Sequence, residues 1–143
     1  MSKRPNIVLI VADDMGYGDF GVFNDGPART PHLDALVDEG ACLAQHYAGS
    51  AACSPSRAAL LTGHHPYGVQ SMRMEGEYPG STYDPKQCPF WPSVFRQNGY
   101  STAQIGKWHT GTDTGFGRDW DYQVVWNRPR HIKNSGAYFY DQL

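Results

Sequence analysis

The sequence is poor in cysteine, and it contains no long apolar run. The three cysteines, Cys42, Cys53 and Cys88, are widely spaced and odd in number, so they form neither a disulfide framework nor a Cys-x-x-Cys metal pair. No apolar stretch approaches the roughly 20 residues that a membrane-spanning helix requires. We therefore expect no membrane partner, and we expect Cys42 and Cys88 to be small buried hydrophobic residues.

The sequence also has no large excess of charge of either sign. Charged residues make up 18% of the 143 residues, the formal net charge is −2, and the basic side chains are scattered. A nucleic-acid surface needs clustered Lys and Arg, so we expect no nucleic-acid partner. The apolar fraction of 40% is ordinary for a globular protein. The length is sufficient for one domain with a modest core.

The beginning of the chain is a poor signal peptide. Its apolar run extends only from Ile7 to Ala12 and is followed at once by Asp13 and Asp14. We expect a cytoplasmic protein, or a periplasmic or secreted one if a leader precedes this sequence.

Regular elements alternate along the first hundred residues. The β-branched run Asn6–Ala12 predicts a central strand of a covered parallel sheet. A helix is predicted from Thr30, its N-cap, to Gly40, its stop, and Ala41–Tyr47 could form a second strand.

The same alternation continues beyond residue 50. Ser54 is predicted to cap a second helix that ends at Gly63. Trp91–Asn98 is predicted to form a third helix and Tyr100–Ile105 a further strand. After about Gly111 no periodic pattern continues. This order of elements predicts an α/β fold.

The start of the second predicted helix can hold an anion. The free N–H groups and the dipole of a first helical turn favour negative charge, and Arg57 adds a forked cation one turn further on. Cys53 immediately precedes the expected cap. From the residues alone, an ordinary capped helix with a small buried cysteine explains the pattern equally well.

Two further polar clusters follow predicted strands. Asp13 and Asp14 offer oxygen ligands that suit Ca²⁺ or Mg²⁺, although such a pair is more often part of a turn. Lys107 and His109 flank Trp108, so an extended backbone would direct both to one side, where they could meet an anion or simply be exposed.

Together these segments resemble the type I sulfatases. The resemblance rests on Cys-Ser-Pro-Ser-Arg at residues 53–57 with Leu-Thr-Gly at 61–63, on Asp-Asp at 13–14, and on Gly-Lys-Trp-His-Thr-Gly at 106–111. Thr110 departs from the leucine that is usual in the last motif. The resemblance implies an α/β sheet flanked by helices on both faces, of the alkaline-phosphatase type, and implies that residues 1–143 are the N-terminal part of the catalytic domain, incomplete at its C-terminal side.

The resemblance also implies a set of roles. Cys53 would be oxidised to formylglycine by a formylglycine-generating enzyme, and one hydroxyl of the hydrate would attack the sulfur of a small-molecule or carbohydrate sulfate ester. Asp13, Asp14 and the modified Cys53 would bind Ca²⁺, with Mg²⁺ as the alternative. Arg57 would steady the formylglycine and the metal carboxylates. Lys107 would bind sulfate, and His109 would hydrogen-bond the hydrate.

Two alternatives remain open at this point. Phosphonate or phosphate ester hydrolases share the nucleophile motif, and a tetrahedral phosphoryl group suits the same residues. The chain could also be a catalytically inactive fragment, because the family's remaining metal ligands and its later His and Lys have no counterpart that the sequence identifies.

Overall fold

The computed structural model describes residues 4–24, 27–68, 88–110, 115–127 and 138–142. The chain divides into two compact units, Met1–His46 and Tyr47–Leu143. In the described part of the chain, no helix has the length and apolar character that crossing a membrane would require.

The described residues of the first unit form one α-helix and two short 3-10 turns. The turns are Tyr17–Asp19 and Gly21–Phe23, and helix α1 is Pro31–Glu39. The predicted bounds of α1 are confirmed, because Thr30 occupies the N-cap and Gly40 the C-cap. Proline suits the first turn, where the backbone N–H has no helical partner.

Thr30 holds this unit together in a way that capping alone does not predict. Its hydroxyl accepts a hydrogen bond from the Gly21 backbone N–H at 2.7 Å and donates one to Asp34 Oδ1 at 2.8 Å. Asp34 Oδ1 also accepts from the Val22 N–H at 3.0 Å. Side-chain oxygens of the N-cap residue and of the first turn of α1 therefore bind the backbone of the second 3-10 turn.

Two strand predictions in this unit are wrong. Residues 6–12 form no strand, and the side chains of Ile7–Val11 are exposed, Val8 by 83%. The segment 41–47 contains a turn, in which the His46 N–H donates to the Leu43 carbonyl at 3.1 Å. A strand requires a neighbour for its backbone groups, and no described residue pairs with either segment.

The described residues of the second unit form two α-helices and a three-stranded sheet. Helix α2 is Cys53–Thr62 and α3 is Trp91–Gln97, with a 3-10 turn, Pro66–Gly68, between them. The end of α2 is as predicted, with Gly63 as its C-cap, whereas α3 ends at Gln97, one residue before the predicted Asn98. Gly63 and Gly99, which follow the two helices, have φ of +69° and +79°. Glycine adopts this left-handed conformation without steric cost.

The sheet has the order β1-β2-β3. Strand β1 is Ala103–Lys107, β2 is Tyr122–Asn127 and β3 is Tyr138–Gln142. β1 and β2 are parallel, with Ile105 opposite Val124, whereas β2 and β3 are antiparallel. β1 begins three residues later than predicted, and the expectation that regular structure ends near Gly111 is wrong.

An aromatic cluster forms the core of the second unit. Trp108 makes edge-to-face contacts with Phe90 and Trp120, at ring-centroid distances of 5.6 and 6.0 Å. Leu61 of α2 and Val125 of β2 complete the buried cluster. The core therefore joins α2, the residues before α3, the end of β1 and strand β2.

Candidate active site

Helix α2 begins at Cys53, two residues earlier than the sequence indicated. Ala52 is the N-cap, and the Ser56 N–H donates to the Ala52 carbonyl at 3.1 Å. The prediction that Ser54 caps the helix is therefore wrong. Ser54 is fully buried on the side of α2 that includes Ala58, and its hydroxyl oxygen has no hydrogen-bond partner among the described residues.

This shift places Cys53 at the first helical position. Its side chain is partly exposed, and its thiol is not in a disulfide bond. The unpaired N–H groups of a first turn and the positive end of the helix dipole favour an anion there. The geometry therefore supports the anion-binding interpretation more than that of a buried structural cysteine.

Arg57 connects this helix to the end of β1. Its guanidinium Nη1 donates a hydrogen bond to the backbone carbonyl of Lys107 at 2.7 Å. The same carbonyl accepts from Gln104 Nε2 at 3.3 Å. The contact bridges 50 residues of sequence and brings the Cys53–Arg57 segment together with the Lys107–His109 segment.

The backbone at the end of β1 turns sharply. Gly106 has φ of +101° and His109 has φ of +51°, so the strand ends at Lys107. The alternation that predicted Lys107 and His109 on one side assumed an extended backbone, and this assumption fails at His109. Lys107 is partly exposed, whereas His109 is only 5% exposed.

Burial of the neighbouring residues fixes this turn. Trp108 is 2% exposed within the aromatic cluster, and Thr110 is fully buried. The Thr110 hydroxyl donates to the Trp108 carbonyl at 3.1 Å. The substitution of threonine for the usual leucine is therefore accommodated by a hydrogen bond, which a buried hydroxyl requires.

Asp13 and Asp14 belong to the other compact unit. They lie in an exposed bend, and Asp14 has φ of +58°, a left-handed conformation that aspartate tolerates better than most residues. After this bend in the chain, the Gly16 N–H donates to Asp19 Oδ2 at 2.7 Å. The described residues include no group of three or more His, Cys, Asp or Glu side chains that could hold a metal ion.

Sequence reasoning missed two residues of this region. Gln104 contacts the Lys107 carbonyl, and Trp120 packs against Trp108. Gln104 carried no signal, because its acceptor is a backbone atom. Cys42 is exposed and Cys88 is partly exposed, so the expectation that both are buried is wrong.

A model of the Sulfatase family matches residues 5–141. The chain belongs to the sulfatase family. It is 40% identical over 118 residues to human arylsulfatase D, a match that covers 77% of this chain and 19% of that protein. It is 42% identical over 115 residues to human steryl-sulfatase, covering 77% of this chain and 20% of the relative. The chain thus spans about a fifth of the length of these curated relatives.

Solved structures show the same relationship. The crystal structure of Ps i-CgsB superimposes with a TM-score of 0.77 at 33% identity, over 87% of this chain and 28% of that one. The same protein in complex with k-i-k-neocarrahexaose gives a TM-score of 0.70 at 30% identity, over the same shares of the two chains. These structures have the alkaline-phosphatase-like fold of sulfatases, and this chain corresponds to part of it.

Proposed function

We propose that this chain supplies part of the active site of a sulfuric ester hydrolase whose nucleophile is a formylglycine made from Cys53. One observation carries the proposal: Arg57, from the same helix as Cys53, donates to the Lys107 carbonyl and so joins two of the family's motifs. Membership of the sulfatase family and relatives named as sulfatases support it. In the complete protein we expect the sheet to be flanked by helices on both faces.

Each side chain has a role that its environment suits. A formylglycine at position 53 would supply a geminal diol as nucleophile at the positive end of α2. Arg57 holds the Lys107 segment against this helix. Lys107, partly exposed, can bind a sulfate oxygen as a point charge. His109, held by a buried backbone turn, would hydrogen-bond the hydrate.

Asp13 and Asp14 fit a hard divalent cation as two members of a larger ligand set. Their carboxylates are exposed, follow one another in a bend and offer only oxygen atoms, which Ca²⁺ and Mg²⁺ prefer. A cation bound there would stabilise negative charge on the substrate's oxygens. We propose Ca²⁺, with the oxygen of the modified residue 53 as a further ligand.

The relatives support a proposal for the substrate class. They include a steryl-sulfatase and a Bacteroides thetaiotaomicron N-acetylgalactosamine-6-O-sulfatase, to which the chain is 34% identical over 128 residues, covering 88% of this chain and 24% of that protein. We propose a small-molecule or carbohydrate sulfate ester. A formylglycine-generating enzyme is the second proposed partner, because the cysteine must be modified before the helix folds around it.

Intact-mass measurement tests the nucleophile. Coexpression with a formylglycine-generating enzyme should lower the mass by about 18 Da, the change from a thiol-bearing to an aldehyde-bearing side chain. An aminooxy probe should label this chain and leave the Cys53→Ala control unlabelled. An unchanged mass together with no aminooxy labelling would contradict the modification, because the hydrate has almost the mass of cysteine and only the aldehyde is lighter.

Turnover of paired substrates tests the reaction class. The modified protein should hydrolyse an aryl sulfate, and Cys53→Ala should abolish this activity. Faster hydrolysis of the matching aryl phosphonate would favour the phosphonate hydrolase instead. A modified protein that hydrolyses neither would favour the inactive fragment.

A further inference from the structure

A thiol and an imidazole meet outside the proposed active site. Cys88 Sγ lies 3.3 Å from His64 Nδ1, although the two residues are 24 positions apart. Neither residue belongs to the motifs that define the family resemblance. A pairing of this kind is typical of cysteines that react as nucleophiles.

Two atoms contact the same ring nitrogen of His64. Its Nδ1 also lies 2.9 Å from the backbone oxygen of Thr62, and a carbonyl oxygen can only accept. In the tautomer with a hydrogen on Nδ1, that hydrogen would be shared between the Thr62 oxygen and the sulfur of Cys88 at 3.3 Å. A donor directed at sulfur stabilises negative charge on that atom, and the thiolate is the form of cysteine that reacts.

Both partners are held in place by the surrounding structure. His64 directly follows Gly63, the C-cap of α2, and its backbone N–H donates to Thr62 Oγ1 at 3.1 Å. Cys88 packs against the aromatic core, two residues before Phe90, which is 1% exposed. The contact is nevertheless open to solvent, because His64 is exposed and Cys88 partly so.

We propose that Cys88 is a covalent modification site for small disulfides, with His64 as the residue that activates it. The thiol proton passes to solvent, and the thiolate attacks one sulfur of the disulfide. A new S–S bond forms to Cys88 as the original S–S bond breaks, and the released thiolate takes a proton from solvent. The disulfide is the oxidant, and it is reduced to one free thiol. This site does not depend on sulfate ester hydrolysis.

The chain contains its own reference for this proposal. Cys42 is exposed, whereas Cys88 is only partly exposed. Accessibility alone therefore predicts that Cys42 reacts faster. Activation by His64 predicts the opposite order, so the ranking of two thiols in one molecule separates the two explanations.

The experiment uses 4,4′-dithiodipyridine, an uncharged disulfide, on the 143-residue chain carrying Cys53→Ala so that only Cys42 and Cys88 react. Released thiopyridone gives the rates, and peptide mass mapping assigns them. We expect Cys88 to react about tenfold faster than Cys42. His64→Asn should remove most of this difference, whereas the matched variant His65→Asn should preserve it.

Three outcomes would overturn the proposal. The first is a faster reaction at Cys42. The second is an unchanged Cys88 rate in His64→Asn, or an equal loss in His65→Asn. The third is persistence of the tenfold difference in concentrated urea, where the contact with His64 no longer exists. Loss of the difference in urea, with an unchanged Cys42 rate in folded His64→Asn, supports it.

Discussion

The two compact units carry equally clear sequence motifs but hold them by different forces. In the second unit, the Lys107–His109 segment is anchored by Trp108, which is buried among aromatic rings. In the first, no described residue from 4 to 46 is buried, and Asp13 and Asp14 lie in an exposed bend. A motif in the sequence therefore does not by itself reveal whether the surrounding chain can keep it rigid.

The physical difference is one of burial. The first unit is linked by polar contacts such as those of Thr30 and Asp34, and each such hydrogen bond contributes only about 1 kcal/mol net, because water competes for the same groups. Removing a buried aromatic side chain costs about 3–5 kcal/mol. We expect the second unit to determine the stability of the molecule.

The largest predicted effect comes from emptying the aromatic core. Trp108→Ala should lower the free energy of unfolding by about 3–5 kcal/mol, because Phe90 and Trp120 lose the ring between them. The matched change Val8→Ala, at a side chain that is 83% exposed, should alter it by less than about 0.5 kcal/mol. Urea titration followed by tryptophan fluorescence and by circular dichroism would measure both.

The proposed difference between the units would be contradicted if Trp108→Ala and Val8→Ala lowered the free energy of unfolding by similar amounts. A loss of 2 kcal/mol or so in Val8→Ala would mean that residues 6–12 are packed in solution, since truncating a buried aliphatic side chain has an effect of this size.

Local signals explain why the helices could be predicted. Pro31 and Gly40 bound α1, and Gly63 and Gly99 follow the two later helices, so these boundaries are encoded within a few residues. The strands depend on distant partners. Asn6–Ala12 has the composition of a strand but no described partner, whereas Tyr122–Asn127 has a β-branched and aromatic centre and pairs with β1 and β3.

The sequence identified the residues of the candidate site, but it did not predict the contacts that bring them together. The motifs identified Cys53, Arg57 and Lys107, but the atom that joins them is a backbone carbonyl, for which sequence carries no residue-specific signal. The wrong cap, Ser54, has a similar cause. Its face of α2 is set by burial against the core, and this outweighs the preference of serine for an N-cap.

A loss of stability of intermediate size is predicted for a substitution at Gly106. Its φ of +101° is unfavourable for residues that have a Cβ atom, although no atom lies within 4 Å of the position that a Cβ would occupy. Gly106→Ala should therefore cost about 1–3 kcal/mol through backbone strain alone. Gly18, in the first unit, is equally open but has no such backbone angle, so Gly18→Ala is the matched control.

Chemical denaturation of the two glycine variants sharpens the comparison between units. The second unit should respond to Gly106→Ala because its core holds the backbone of residue 106 at an angle that alanine adopts only with strain. Gly18→Ala should remain within about 0.5 kcal/mol of the parent. Equal effects would show that the φ of Gly106 relaxes freely, and that the Lys107 segment is not held by its surroundings.

The smallest effect tests a polar contact of the second unit. The pKa of the exposed Asp121 carboxyl is held below its usual range. The main cause is the hydrogen bond from the Thr102 backbone N–H at 2.9 Å, and Arg96, at 2.8 Å, lowers the pKa further. Partial loss of solvent contact opposes these effects. These contacts link the loop before β2 to the residues that precede β1. A lowered pKa stabilises the folded state at neutral pH, and this contribution is lost as the pH falls through the folded value.

Asp121→Asn should therefore melt slightly below the parent at neutral pH. The gap should begin to narrow near pH 4, the ordinary range of an aspartate pKa, and should close only as the pH falls through the lower pKa of the folded parent. Melting curves by circular dichroism across this range would measure the gap. If the difference in melting temperature stayed constant with pH, the stabilisation would come from the packing of the Asp121 side chain and not from its charge. A gap as large as that of Gly106→Ala would mean that polar contacts in the second unit are stronger than those of the first, and that burial alone does not distinguish the two units.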